Sequence, residues 1–105
     1  MRCTLDWDSC SEETFNERMN TIRNIYPMNR IKYRQSSSKT GYHVVIFGGA
    51  IDWPTCKLMR RALWDDQDRL RIDNDRQKEG VIFNQLAGTK FNKKAGEWTE
   101  CSVAA

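Results

Sequence analysis

The chain has 105 residues, 39% hydrophobic and 30% charged, with a formal net charge of +3. That length holds one core rather than two, and 10% aromatic residues, four of them tryptophan, argue against disorder. The longest nearly unbroken apolar run, residues 44–51, is far short of the roughly 20 residues of a membrane helix, so a soluble, cytoplasmic single domain over residues 1–105 is expected, with no membrane partner.

A charge of +3 does not by itself identify a nucleic-acid partner. Cys3, Cys10, Cys56 and Cys101 form no C-x-x-C pair, and His43 is the only histidine. A zinc site normally needs closer pairs, so the cysteines read as reduced, partly buried small apolar residues.

Residues 2–8 alternate Cys3, Leu5 and Trp7 with Arg2, Thr4, Asp6 and Asp8, the pattern of a half-buried strand. Ser9 with Glu12 reads as a capping box, and Phe15, Met19 and Ile22 recur at helical spacing in a helix that must stop before Pro27. Residues 30–36 alternate again. A turn of Ser36, Ser37, Ser38, Lys39, Thr40 and Gly41 leads into a β-branched and aromatic strand over 42–47, its hairpin partner.

Gly48 and Gly49 break that run. Asp52 is positioned to cap a second helix with Pro54 in its first turn and Cys56, Met59 and Leu63 as its apolar stripe, leaving Lys57, Arg60 and Arg61 outside. Residues 69–73 alternate once more and are expected to form a fourth strand. Residues 81–83 and 97–99 suggest peripheral strands, with a loop over 88–96. The order is βαββαβ with extra C-terminal strands, an α+β sandwich of the RNA-recognition or ferredoxin-like kind, with one sheet face free to bind or react.

Strand parity puts Thr4, Asp6, Asp8, His43, Val45, Phe47, Arg69, Arg71 and Asp73 on that free face. Asp6 and Asp8 are two apart, so in a strand their carboxylates point the same way and repel unless a cation lies between them. Hard oxygen ligands suit Mg²⁺ or Mn²⁺, and Asp73 would add a third carboxylate for in-line displacement at phosphorus. A Ser/Thr/Lys/Gly turn ending on His43 lets backbone N–H groups and cations approach phosphate oxygens.

Together these residues resemble the three motifs of the archaeo-eukaryotic primase superfamily of primase-polymerases. Leu5-Asp6-Trp7-Asp8 is similar to its hydrophobic-Asp-hydrophobic-Asp motif, Gly41-Tyr42-His43 after Ser36-Ser37-Ser38 to its second, and Ile72-Asp73 to its third. The order is the family's, over residues 4–74, and the family's core is RNA-recognition-like. The resemblance implies a minimal DNA primase or polymerase core in replication or repair, of a size that fits a mobile element. Asp6, Asp8 and Asp73 would hold two divalent metals, and His43 with the 36–41 turn the β- and γ-phosphates of a nucleoside triphosphate. Charge and position add Arg34 and Lys39 as phosphate neutralisers and Arg71 as a contact to single-stranded or primer–template nucleic acid. Members usually carry a further α/β module, so a partner subunit or homo-oligomer is a possible completion. A metal-dependent nuclease, or a non-catalytic nucleotide- or nucleic-acid-binding module of the same fold, are the alternatives.

Overall fold

A computed structural model describes residues 1–90 and 92–101. Strand β1 (Arg2–Trp7) buries Cys3, Leu5 and Trp7 completely or nearly so, as its alternation requires. Helix α1 (Glu12–Ile25) is capped by Ser11, whose Oγ accepts from the Thr14 N–H at 3.1 Å, and not by Ser9. Ser9 lies in the left-handed region at φ 47°, and the Cys10 N–H donates to the Thr40 carbonyl. These two residues are therefore tied to the 36–41 turn, and the helix starts after them. Glu12 and Glu13 in the first turn and Arg23 in the last complement the helix dipole. The helix ends before Pro27, as expected.

Strands β2 (Ile31–Gln35) and β3 (Tyr42–Phe47) form the expected hairpin, and β3 also pairs antiparallel with β1. Thus β1 and β2 run parallel, joined by α1, with β3 between them. Helix α2 (Trp53–Ala62) starts at Asp52, which accepts from the Thr55 N–H, with Pro54 in the first turn. Phe15, Met19 and Ile22 of α1 and Cys56 and Met59 of α2 bury the same sheet face as Leu5, Ile31, Val44 and Ile46.

Residues 69–73 are not a strand. They lie inside helix α3 (Gln67–Lys78), capped by Asp66, which accepts from the Asp68 and Arg69 N–H groups. The apparent alternation of Leu70 and Ile72 misleads: Leu70 is buried beside Asp73 at i+3, whereas Ile72 is 45% exposed. Arg60, expected outside the apolar stripe of α2, is fully buried between Asp65 and Asp73.

Residues 81–83 are not a strand either. Val81 and Ile82 are exposed, and Phe83 packs edge-on against Trp53. The 88–96 stretch contains a two-residue hairpin, β4 (Thr89–Lys90) with β5 (Lys93–Lys94); residue 91 of the expected loop lies outside the described residues. The 97–99 strand begins later, as β6 (Thr99–Cys101), and pairs with β2.

The architecture is α+β, a four-stranded antiparallel sheet in the order β1-β3-β2-β6 with three helices, compatible with a small ferredoxin-like fold. Cys3, Cys10 and Cys56 are buried free thiols, and Cys101 is half-buried. Among the described residues no helix is long and apolar enough to cross a membrane.

The second sheet face is not bare. The Asn84 side chain donates to the Arg2 carbonyl at the β1 edge, Arg34 donates to the Ala87 carbonyl, and the Gly96 N–H donates to the Gln35 carbonyl at the β2 edge. The segments around Asn84, Ala87 and Gly96 thus lie along this face, and Thr4, His43 and Val45 are buried although they lie opposite the helices.

Candidate functional site

Antiparallel register places Asp6 opposite His43 and His43 opposite Arg34, one row across three strands. Arg34 Nε donates to His43 Nδ1 at 3.0 Å, so Nδ1 is the acceptor and the ring proton sits on Nε2. That nitrogen faces Asp6 Oδ1 at 3.7 Å, too far for a hydrogen bond. Burial, followed by the charges of Arg34 and Arg69, lowers the His43 pKa to about 4. The imidazole is therefore neutral near pH 7, and its contact with Asp6 is not an ion pair there.

Burial, followed by the charge of Asp8, pushes Asp6 up to about 6. Among the described residues no donor satisfies its buried Oδ1. The Asp6 backbone N–H, by contrast, donates to Asp65 Oδ1 at 2.8 Å. Asp65 is fully buried and also accepts from Arg60 and Arg69, so it holds the β1 backbone at Asp6 in place.

Asp8 is raised by burial and then by a hydrogen bond and repulsion with Asp66. Burial opposes the charge on Asp66, but the Arg69 N–H, the Asp8 hydroxyl and the Asp68 N–H leave its pKa lowered. Of the two carboxyls, Asp8 is thus the one that takes up a proton more readily and Asp66 the one that stays ionised more readily.

A hollow of about 290 Å³ is lined by Asp6, Asp8, His43, Lys90 and the hydroxyl residues Ser36, Ser37, Ser38 and Thr40. The turn is held by the Ser36 N–H to the Gly41 carbonyl and the Lys39 N–H to the Ser36 carbonyl. Ser38 Oγ lies 3.0 Å from both Ser36 Oγ and Thr40 Oγ1. A Cβ on Gly41 would collide with the Trp7 carbonyl oxygen, so only glycine lets the turn close against the end of β1.

The structure thus gathers Asp6, Asp8, Ser36, Ser37, Ser38 and His43 around one hollow, with Gly41 behind them and Arg34 one residue farther along the row. Three expected residues are placed otherwise. Lys39 turns its ammonium to the Lys94 carbonyl at 3.4 Å, and the lysine lining the hollow is Lys90. Arg71 is exposed on α3 beside Asp68, in a separate groove between α2 and α3.

Asp73 shares a second hollow with Asp6, but its Oδ2 accepts from Arg60 Nη1 at 2.9 Å and from the Asn84 N–H at 3.1 Å, while Oδ1 faces Arg76. A carboxylate neutralised by two arginines and an amide acts as a brace for the 84–87 segment.

Among the described residues no group of three or more His, Cys, Asp or Glu converges as a metal cage. Mg²⁺ does not require one, since one or two carboxylates plus substrate phosphates usually suffice. The orphaned Asp6 oxygen and the outward-facing Asp8 are a donor set of that kind. Asp65, Asp66 and Lys90 escaped the sequence reading. The signal for the first two was the Asp65-Asp66 pair before a helix; Lys90, in a Gly/Lys/Asn stretch, gave none. Compared with protein-family models, curated proteins and solved structures, the chain matches none of them.

Proposed function

We propose that the chain is a metal-dependent nucleotidyltransferase of primase-polymerase type, acting on a nucleoside triphosphate and a nucleic-acid strand. The observation that supports this reading is the hollow itself. An acid with a buried, unsatisfied oxygen and a second, open acid face a hydroxyl-rich turn and a lysine across about 290 Å³. That volume is at the low end for ligand pockets and suits the phosphate-bearing end of a nucleotide.

Asp6 and Asp8 would hold Mg²⁺ or Mn²⁺, which when bound polarises phosphorus and lowers the pKa of an attacking hydroxyl. Ser36, Ser37, Ser38 and Thr40 supply hydroxyl donors, and Lys90 a positive charge, to phosphate oxygens. His43, kept neutral and with Nε2 protonated, donates one further hydrogen bond without adding charge. Asp66 accepts a hydrogen bond from Asp8 when Asp8 is protonated, and a cation held by Asp8 would displace that proton to solvent. Asp65 and Asp73 act only by holding β1 and the 84–87 segment.

The test is incorporation of labelled nucleotide onto a primed template with Mg²⁺ or Mn²⁺. Extension that disappears in Asp6→Ala/Asp8→Ala is the expected result. Extension that survives the double change refutes the site, and metal-dependent strand degradation without added nucleotide would make the protein a nuclease instead.

A further inference from the structure

Beside the acid-lined hollow, the covered sheet face carries a second feature that nucleotide chemistry does not use. Arg30, Lys32 and Arg34 project from alternate positions of the β2 segment, and two aromatic rings lie among them. Arg30 lies 4.7 Å and Lys32 5.4 Å from the Phe47 ring, while Lys32 lies 4.5 Å and Arg34 4.2 Å from the Trp98 ring. The row reads Arg30, Phe47, Lys32, Trp98, Arg34, and through Arg34 it continues to His43 and Asp6.

Arg30 is paired with Glu100. Among the described residues no ion pair engages Lys32 or Arg34, whose cations rest on ring faces. Arg2 adds a fourth positive charge, close enough to Arg34 to disfavour its protonated form after burial has done so first. Glu100, which lies opposite Lys32 and feels its charge as well as that of Arg30, is thus set against several cations at this end of the row. Both rings are half-buried.

We propose that this row binds one single strand of nucleic acid, the strand on which the adjacent hollow acts, with bases against Trp98 and Phe47 and phosphates on Lys32 and Arg34. The geometry favours that partner over others. Cations on alternate strand positions repeat at about 6.6 Å, close to the phosphate repeat of an extended single strand. Aromatic rings interleaved with cations suit a strand whose bases are unpaired, because a duplex hides base faces, and an acidic peptide would match the cations alone. At Arg34 the row meets the cross-strand row of Arg34, His43 and Asp6, which is why the inference rests on the proposed function for what happens there, though not for binding itself.

The test is the affinity of a fluorescein-labelled single-stranded oligonucleotide of about 12 residues, measured by anisotropy without metal or nucleotide. Trp98→Leu, which keeps bulk but removes the ring, is expected to weaken binding about tenfold. Lys32→Gln is expected to lower the slope of log affinity against log salt by about one, and it disturbs no buried group. Unchanged affinity in both variants overturns the proposal, as does equal affinity for a duplex of the same length. Loss of binding in Arg61→Gln/Arg71→Gln with none in Trp98→Leu would also overturn it, moving the strand to the groove between α2 and α3. Binding by the wild type with no incorporation would leave this inference standing and remove the nucleotidyl-transfer reading; incorporation with unaltered strand affinity in both row variants would do the reverse.

Discussion

Asp6→Asn separates stability from function in this protein. Burial and Asp8 raise the Asp6 pKa from 3.8 to about 6. At about 1.4 kcal/mol per pH unit, holding Asp6 ionised in the folded state costs about 3 kcal/mol above pH 6. A raised carboxyl favours the folded state at low pH, and that benefit is lost as pH rises from 3.8 through 6. An asparagine side chain has the same shape without the charge, and the backbone hydrogen bond to Asp65 does not involve the side chain of residue 6. The variant should therefore be more stable than wild type by about 3 kcal/mol at pH 7.5 in chelated buffer, a melting temperature higher by about 10 °C or more.

His43 has the opposite sign. Its folded pKa is depressed from 6.5 to about 4, so its contribution is complete above 6.5 and lost as pH falls toward 4. In wild type the two groups offset each other, because the folded state carries one proton on Asp6 where the unfolded state carries it on His43. Asp6 is not among the causes of the His43 shift, so Asp6→Asn leaves the histidine's loss uncovered. Urea unfolding at pH 7.5, 6, 5 and 4 should show the variant's advantage closing as the medium acidifies, while wild type changes little from this pair. A variant less stable than wild type at pH 7.5, or an advantage independent of pH, refutes the electrostatic account of the site.

Arg60 is fully buried between two carboxylates, and Arg60→Met should cost about 3–5 kcal/mol by removing the cation they share, leaving Asp65 only Arg69 and Asp73 only the half-exposed Arg76 as cations; adding Asp65→Asn and Asp73→Asn should restore part of that in urea melts. Gly41→Ala should destabilise by about 1–3 kcal/mol and reduce triphosphate affinity, since its methyl meets the Trp7 carbonyl; calorimetric binding with chemical denaturation checks both. Lys90→Ala should weaken triphosphate binding about tenfold, and Lys39→Ala should leave it near wild type, because only Lys90 lines the hollow; titration of both separates the two lysines.

Periodicity made β1, the β2–β3 hairpin and the Asp52 cap legible in the chain. From parity alone the shared face of Thr4, Asp6, His43 and Phe47 followed, and so did the burial of Trp7 on the opposite side. Residues 69–73 were misread because a five-residue window cannot distinguish Arg-Leu-Arg-Ile-Asp in a strand from one turn of a polar helix. The Asp66 cap decided the matter, and with it the place of Asp73. Arg60 looked like surface because a buried arginine is visible only through its partners, Asp65 and Asp73, which lie 5 and 13 residues away. Lys90 and Trp98 reach the site because the segments around Ala87 and Gly96 dock on the sheet face, a tertiary event with no local signature.

The most direct measurement is the anomalous scattering of Mn²⁺ in crystals grown with Mn²⁺ and a non-hydrolysable nucleoside triphosphate. The account predicts a peak about 2.0–2.3 Å from carboxylate oxygens of Asp6 and Asp8, with the triphosphate against Ser36, Ser37, Ser38 and Lys90. A peak at Asp73 or in the groove between α2 and α3, or no peak at saturating Mn²⁺ and nucleotide, would contradict it.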